Sequence, residues 1–180
     1  MKNKLILSFL ITIFFNINIF SQEEFIYNIE GLKPEFIVVQ ATEYEQNDLY
    51  IKTINWVKKT FTNPNEVIKA TIENEMIRIE GAKKDWLCVN SIGGSICTNA
   101  LYVVEISFKK GKYKFEIISL KGISNNGNFE IDLNNGSIYY DKKGNLKSFS
   151  KETPNAISKL FNDLILDLNK NISNNENKDW

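Results

Sequence analysis

Ala100, Tyr102, Val104, Ile106 and Phe108 recur at every second position through nine residues. A period of two carried by aromatic and β-branched side chains specifies a strand that buries one face. Lys110-Gly111 supplies a turn, and Tyr113, Phe115 and Ile117 repeat the alternation on the return. A slip of one residue would expose all five positions of the first strand, so this hairpin fixes a register around which the chain must pack. Ile117 and Ile118 are both apolar, which predicts a bulge or a strand covered on both sides. Lys109, Lys112 and Lys114 fall on the opposite face near the turn and read as a solvated face rather than a binding patch.

The same reading extends along the chain. Phe25, Tyr27 and Ile29 alternate with polar residues, Gly31 to Pro34 marks a turn, and Phe36-Ile37-Val38-Val39 suits a strand covered at least partly on both faces. The period then changes. Tyr50, Ile54, Val57 and Phe61 form one helical stripe, with Asn47 or Asp48 as cap and Asn63-Pro64 as stop. Trp56 lies on the flank of that stripe, read as a partly buried ring on the sheet, the alternative being a ring that stacks on a ligand. Ile68, Ala70 and Ile72, a turn at Asn74-Glu75, then Ile77 and Ile79 describe a further hairpin. A weak hairpin turning at Asn134-Asn135-Gly136 is expected between Phe129-Ile131-Leu133 and Ile138 to Tyr140. A closing helix is expected with Thr153 as its cap and Pro154 at its first position, burying Ile157, Leu160, Phe161, Leu164, Ile165 and Leu168. These elements make one α+β domain on an antiparallel sheet, spanning residues 22–170. A disordered polar tail is expected over 171–180.

The N-terminus reads as a signal peptide over residues 1–21. Lys2 and Lys4 precede an apolar run from Leu5 to Phe15, and acidic sequence begins at Glu23. Ser21 suits the position before the cut and Gln22 the new N-terminus. The alternative is an uncleaved anchor, which needs about 20 apolar residues, and Asn16 and Asn18 interrupt this stretch. Cleavage would leave no stable membrane anchor and place the domain in the periplasm, on the cell surface or outside the cell. Of 22 basic residues, Lys2 and Lys4 would be lost, leaving 20 against 22 acidic ones. Such a balance supplies no broad electrostatic footprint for nucleic acid.

The segment Ile54-Asn55-Trp56-Val57-Lys58-Lys59-Thr60-Phe61-Thr62-Asn63-Pro64, followed by Val67-Ile68-Lys69 and Ile77-Arg78-Ile79-Glu80-Gly81, resembles a family of exported Bacteroidetes proteins, the domain of unknown function numbered 4468. The hairpin from Tyr102 to Phe115 resembles that family's second signature. The likeness spans roughly residues 36–120. It implies a TBP-like fold, a curved antiparallel sheet with helices on one face, and no known activity or ligand. Residues 82–99 depart from the pattern as a longer, cysteine-bearing connection, and the closing helix lies outside the resemblance. A fold name of this kind carries no function with it.

The chain contains no histidine. Nucleophile activation by Ser-His or Cys-His pairs therefore lacks its base, and two cysteines cannot close a zinc site. No metal or cofactor is implied. Cys88 and Cys97 flank Gly93-Gly94 and are expected to form a disulfide in an oxidising compartment, the alternative being two buried thiols. The leading expectation is an exported, non-catalytic binding or scaffold module for an unidentified protein or small molecule. Its candidate surface is the Cys88–Cys97 loop with Trp86, Tyr139 and Tyr140, unless these aromatics simply cover the core. The alternatives are a small carboxylate-dependent hydrolase of the envelope and a structural subunit of a surface assembly.

Overall fold

The computed structural model describes residues 23–91, 94–124 and 127–174. In chain order the elements are β1 (Ile26–Asn28), β2 (Gly31–Lys33), β3 (Phe36–Gln40), α1 (Gln46–Thr60), α2 (Pro64–Val67), β4 (Ile68–Ile72), β5 (Met76–Ser91), β6 (Gly94–Lys109), β7 (Lys112–Ser124), β8 (Gly127–Glu130) and α3 (Thr153–Ser173). The main sheet has the order β3-β7-β6-β5-β4, with β8 also paired to β7, and every pairing is antiparallel. The expected signal peptide, with Ser21 and Gln22 at its expected cleavage point, lies outside the described residues.

The central register follows the alternation. Ala100, Tyr102, Val104, Ile106 and Phe108 are all buried, as are Tyr113, Phe115 and Ile117 on β7. Val104 pairs with Ile117 and Val103 with Ser119, which leaves Ile118 as the extra residue of a bulge. Its side chain is accordingly exposed. The inner face of the sheet meets Leu49, Thr53, Trp56 and Val57 of α1 and Ile157, Phe161, Ile165, Leu168 and Ile172 of α3. Phe25 fills the space between Phe115 and Phe161, 6.2 and 6.3 Å from their ring centres.

The β1–β2 ribbon is tied to α3 by side chains. The Phe25 amide donates to Asn162 Oδ1 at 2.8 Å, and Asn162 Nδ2 returns a bond to the Phe25 carbonyl at 3.0 Å. The Tyr27 amide donates to Ser158 Oγ at 2.8 Å. Gly31, at φ +93°, opens β2 rather than the expected turn, and a Cβ there would lie 2.3 Å from the Leu133 carbonyl oxygen. Only glycine combines that φ with that approach.

Several expectations are corrected. Strand β3 buries only Ile37 and Val39; Phe36 and Val38 are exposed, because the helices cover one face of the sheet. In α1 the buried stripe is Leu49, Thr53, Trp56 and Val57, so Trp56 is central, while Tyr50, Ile54 and Phe61 are partly buried. The helix starts at Gln46 after Glu45, and neither Asn47 nor Asp48 is its cap. Thr153 is likewise the first helical residue of α3 rather than its cap.

The expected hairpin at Asn134-Asn135-Gly136 is not formed. Instead Gly127–Glu130 returns along β7, where Phe129 sits opposite Gly122 and its ring occupies the space a Cβ would need. Residues Ser137–Tyr139 form a 3₁₀ turn. Helix α3 continues through Asn171 to Ser173 with Ile172 buried, so order runs past the expected start of the tail; residues 175–180 lie outside the described residues.

The cysteine-bearing segment is the largest correction, because it is strand rather than connection. Beyond Asn99 and its partner Ile123, β7 no longer accompanies β6, and β5 and β6 continue as a two-stranded ribbon. Cys88 and Cys97 are directly opposite in that ribbon and disulfide-bonded, with Cα atoms 4.1 Å apart, slightly closer than the 4.4–6.8 Å range expected of disulfides. A short closed loop of this kind contributes roughly 2–3 kcal/mol in the chain-entropy model. Reduction should therefore lower the melting temperature by several degrees, since 1 kcal/mol shifts a domain of this size by about 2–5 °C. The far-ultraviolet spectrum should persist. Thiol titration of the unfolded, unreduced protein should find none; two free thiols would contradict the bridge.

Candidate functional site

Where the ribbon leaves the sheet, β5 is distorted. Lys83 pairs with Ala100 and Leu87 with Thr98, so Lys84, Asp85 and Trp86 stand against the single residue Asn99. Asp85 has φ +48°, a left-handed conformation unusual for a residue with a Cβ. The Asn99 side chain holds it, accepting the Asp85 amide at 2.9 Å. The bulge re-aims Trp86 toward α3, where its indole N–H donates to the Ala156 carbonyl at 3.1 Å. Backbone strain held by a specific partner marks a position where geometry matters.

Trp86 forms one wall of a groove of about 700 Å³ between β5 and α3. Its apolar lining comes from Phe61, Ala82, Tyr102, Leu160 and Leu164. Tyr102 lies against Gly81, where a Cβ would meet the ring at 2.5 Å, and burial pushes its hydroxyl pKa up to about 12. The tyrosine therefore stays neutral at physiological pH. The polar lining comprises Asp85, Glu152, Asp163 and Asp167 against Lys83 and Lys159, an excess of acid. Asp167 accepts the Trp56 indole N–H at 2.7 Å, which ties the groove to the buried ring of α1. Asp163 accepts Lys159 at 2.8 Å across one helical turn.

Of the residues singled out from the sequence, Trp86 and Cys88 line this groove. Tyr139 and Tyr140 do not. Tyr139 packs edge-on against Tyr27 at 5.9 Å and serves the core, and Tyr140 pairs with Leu146 in an isolated bridge. Trp56 is fully buried, which excludes stacking on a ligand. The α3 contribution had no signal in the sequence, because Leu160 and Leu164 read only as core positions. Among the described residues no helix is long and apolar enough to cross a membrane.

No protein-family profile matches the chain, and no curated protein matches it. Solved structures do. A DUF4468 family protein from Bacteroides ovatus superposes with a TM-score of 0.63 at 12% identity, over 79% of this chain and 87% of that one. The fold is TBP-like. A protein described in those words, from Parabacteroides distasonis, superposes with a TM-score of 0.56 at 13% identity, over 77% of this chain and 91% of that one. The helix-plus-hairpin pattern around Trp56 and the hairpin from Tyr102 to Phe115 thus resemble the family and fold of these neighbours. At these identities the TBP-like likeness concerns the fold, which positions α1 and α3 on one sheet face.

Proposed function

We propose that the protein is an exported, non-catalytic binding module whose groove between β5 and α3 takes an elongated ligand with an apolar body and a cationic end. The observation that carries this reading is the held distortion at Asp85, which commits Trp86 to the groove wall by a bond to Ala156. Apolar walls with a few oriented polar groups are the usual make-up of a ligand site. Four acids against two lysines supply the charge preference. The disulfide fits an oxidising compartment outside the cytoplasm.

A hydrolytic role has less support. Asp167 is engaged by Trp56 and Asp163 by Lys159, and both carboxylates are exposed.

Calorimetric titration with octyltrimethylammonium tests the proposal, with octyl sulfate as the opposite-charge control. The cation should bind saturably and the sulfate at least tenfold more weakly. Trp86→Ala should weaken the cation by about tenfold, the loss of one aromatic wall of roughly 1–2 kcal/mol. Equal binding of both amphiphiles, or an unaffected variant, would overturn it.

A further inference from the structure

The outer face of the sheet carries ion pairs: Lys69 with Glu80 at 3.0 Å and Arg78 with Glu105 at 2.6 Å across neighbouring strands, and Lys114 with Glu116 along β7. These balance one another over most of that face. The balance fails at one corner. Lys109 and Lys112 are direct register partners on β6 and β7, flanking the turn, and neither has an acidic partner among the described residues. Directly opposed side chains have Cβ atoms about 4.5–5.5 Å apart, and like charges so placed destabilise a sheet. Lys114 stands two residues along the same face, opposite Ser107 on one side and Val38 on the other. These residues line a depression of about 420 Å³, separate from the groove at Trp86. The exposed Phe36 ring lies beside Lys114, whose Nζ is 5.4 Å from the ring centre.

We infer that this depression binds a phosphate-class oxyanion, held by the ammonium groups of Lys109 and Lys112 with the Ser107 hydroxyl completing the contacts. An anion between opposed lysines converts a repulsion into two charge-assisted hydrogen bonds, and lysine serves such ligands as a point charge. The positive excess is local. Glu80, Glu105 and Glu116 lie farther along the same face, so the site suits a compact anion rather than a long polyanion. Phe36 and Val38 allow that anion to be the headgroup of a lipid as well as a free phosphate.

The test is thermal unfolding of the intact protein with inorganic pyrophosphate at constant ionic strength, because screening alone shifts exposed charges. A bound anion raises the melting temperature saturably. Lys109→Gln/Lys112→Gln should reduce affinity at least tenfold, as loss of a charged hydrogen bond does. The ligand-free variant should melt no lower than the wild type, since a like-charge opposition has been removed. Lys142→Gln, on a distant exposed loop, should retain the effect. Co-sedimentation with phosphatidylglycerol and phosphatidylcholine vesicles separates the sources. Selective binding to the anionic vesicles, lost in the double variant, assigns a headgroup; a pyrophosphate shift without vesicle binding assigns a free phosphate. No saturable shift together with no vesicle preference, or an unchanged response in the double variant, would overturn the inference.

Discussion

Ile106→Asp should abolish the native fold, while Lys109→Asp, three residues away, should leave it intact. Ile106 is fully buried on β6, the central strand of the sheet, opposite Ile77 and Phe115. The replacement removes a buried aliphatic side chain, worth about 1.5–3 kcal/mol, and leaves an unpaired buried charge, costing about 3–5 kcal/mol more. That total is comparable to the 5–15 kcal/mol by which an ordinary domain is stable. Lys109 is exposed, and an aspartate there faces Lys112 favourably, so its effect should stay within about 0.5 kcal/mol. Near-ultraviolet circular dichroism and urea unfolding distinguish the two. Equal stability would refute the register on which the whole sheet rests.

Trp56→Ala should cost about 3–5 kcal/mol, as truncation of a fully buried tryptophan does. Trp56 packs edge-on against Phe61 at 5.8 Å, and its indole N–H is bound to Asp167 on α3. It therefore fastens α1 to α3 as well as to the sheet. Trp56→Phe keeps most of the apolar volume and loses the hydrogen bond. Because Asp167 is exposed and water can replace the indole, that variant should lose only about 1 kcal/mol. Urea midpoints of the pair measure the difference. Similar losses in both would show that the hydrogen bond, rather than the buried ring, dominates.

Strict alternation made β6 and β7 legible from sequence, including the bulge at Ile118, because inner and outer faces differ in chemistry there. Periodicity located α1 and α3 but misplaced the buried stripe of α1 by about one residue. Thr53 is polar yet fully buried, while Tyr50 and Ile54 are apolar and lie at the margin. The run Phe36 to Val39 looked two-sided because nothing local indicates that helices cover one face only.

The candidate site was legible only in part. Cys88, Cys97 and Trp86 stood out as residue types, but the strands that carry them did not. Asn90, Ser91 and Gly94 have the composition of a turn region, and pairing between β5 and β6 overrides that local preference. The bulge at Asp85 left no sequence signal, because its conformation is held by Asn99, fourteen residues away. The opposition of Lys109 and Lys112 was invisible for a related reason: it depends on register, and a pattern of lysines beside a turn also describes a solvated face.

The Trp86 indole N–H resonance reports the wall of the groove and its bond to Ala156. In a titration with octyltrimethylammonium, the Trp86 indole peak should shift saturably, together with the methyl groups of Leu160 and Leu164. The methyl groups of Ile77 and Ile106, fully buried and outside the groove lining, should move little. An unmoved Trp86 peak, or shifts scattered over the sheet without saturation, would contradict the claim that this groove is where the protein binds.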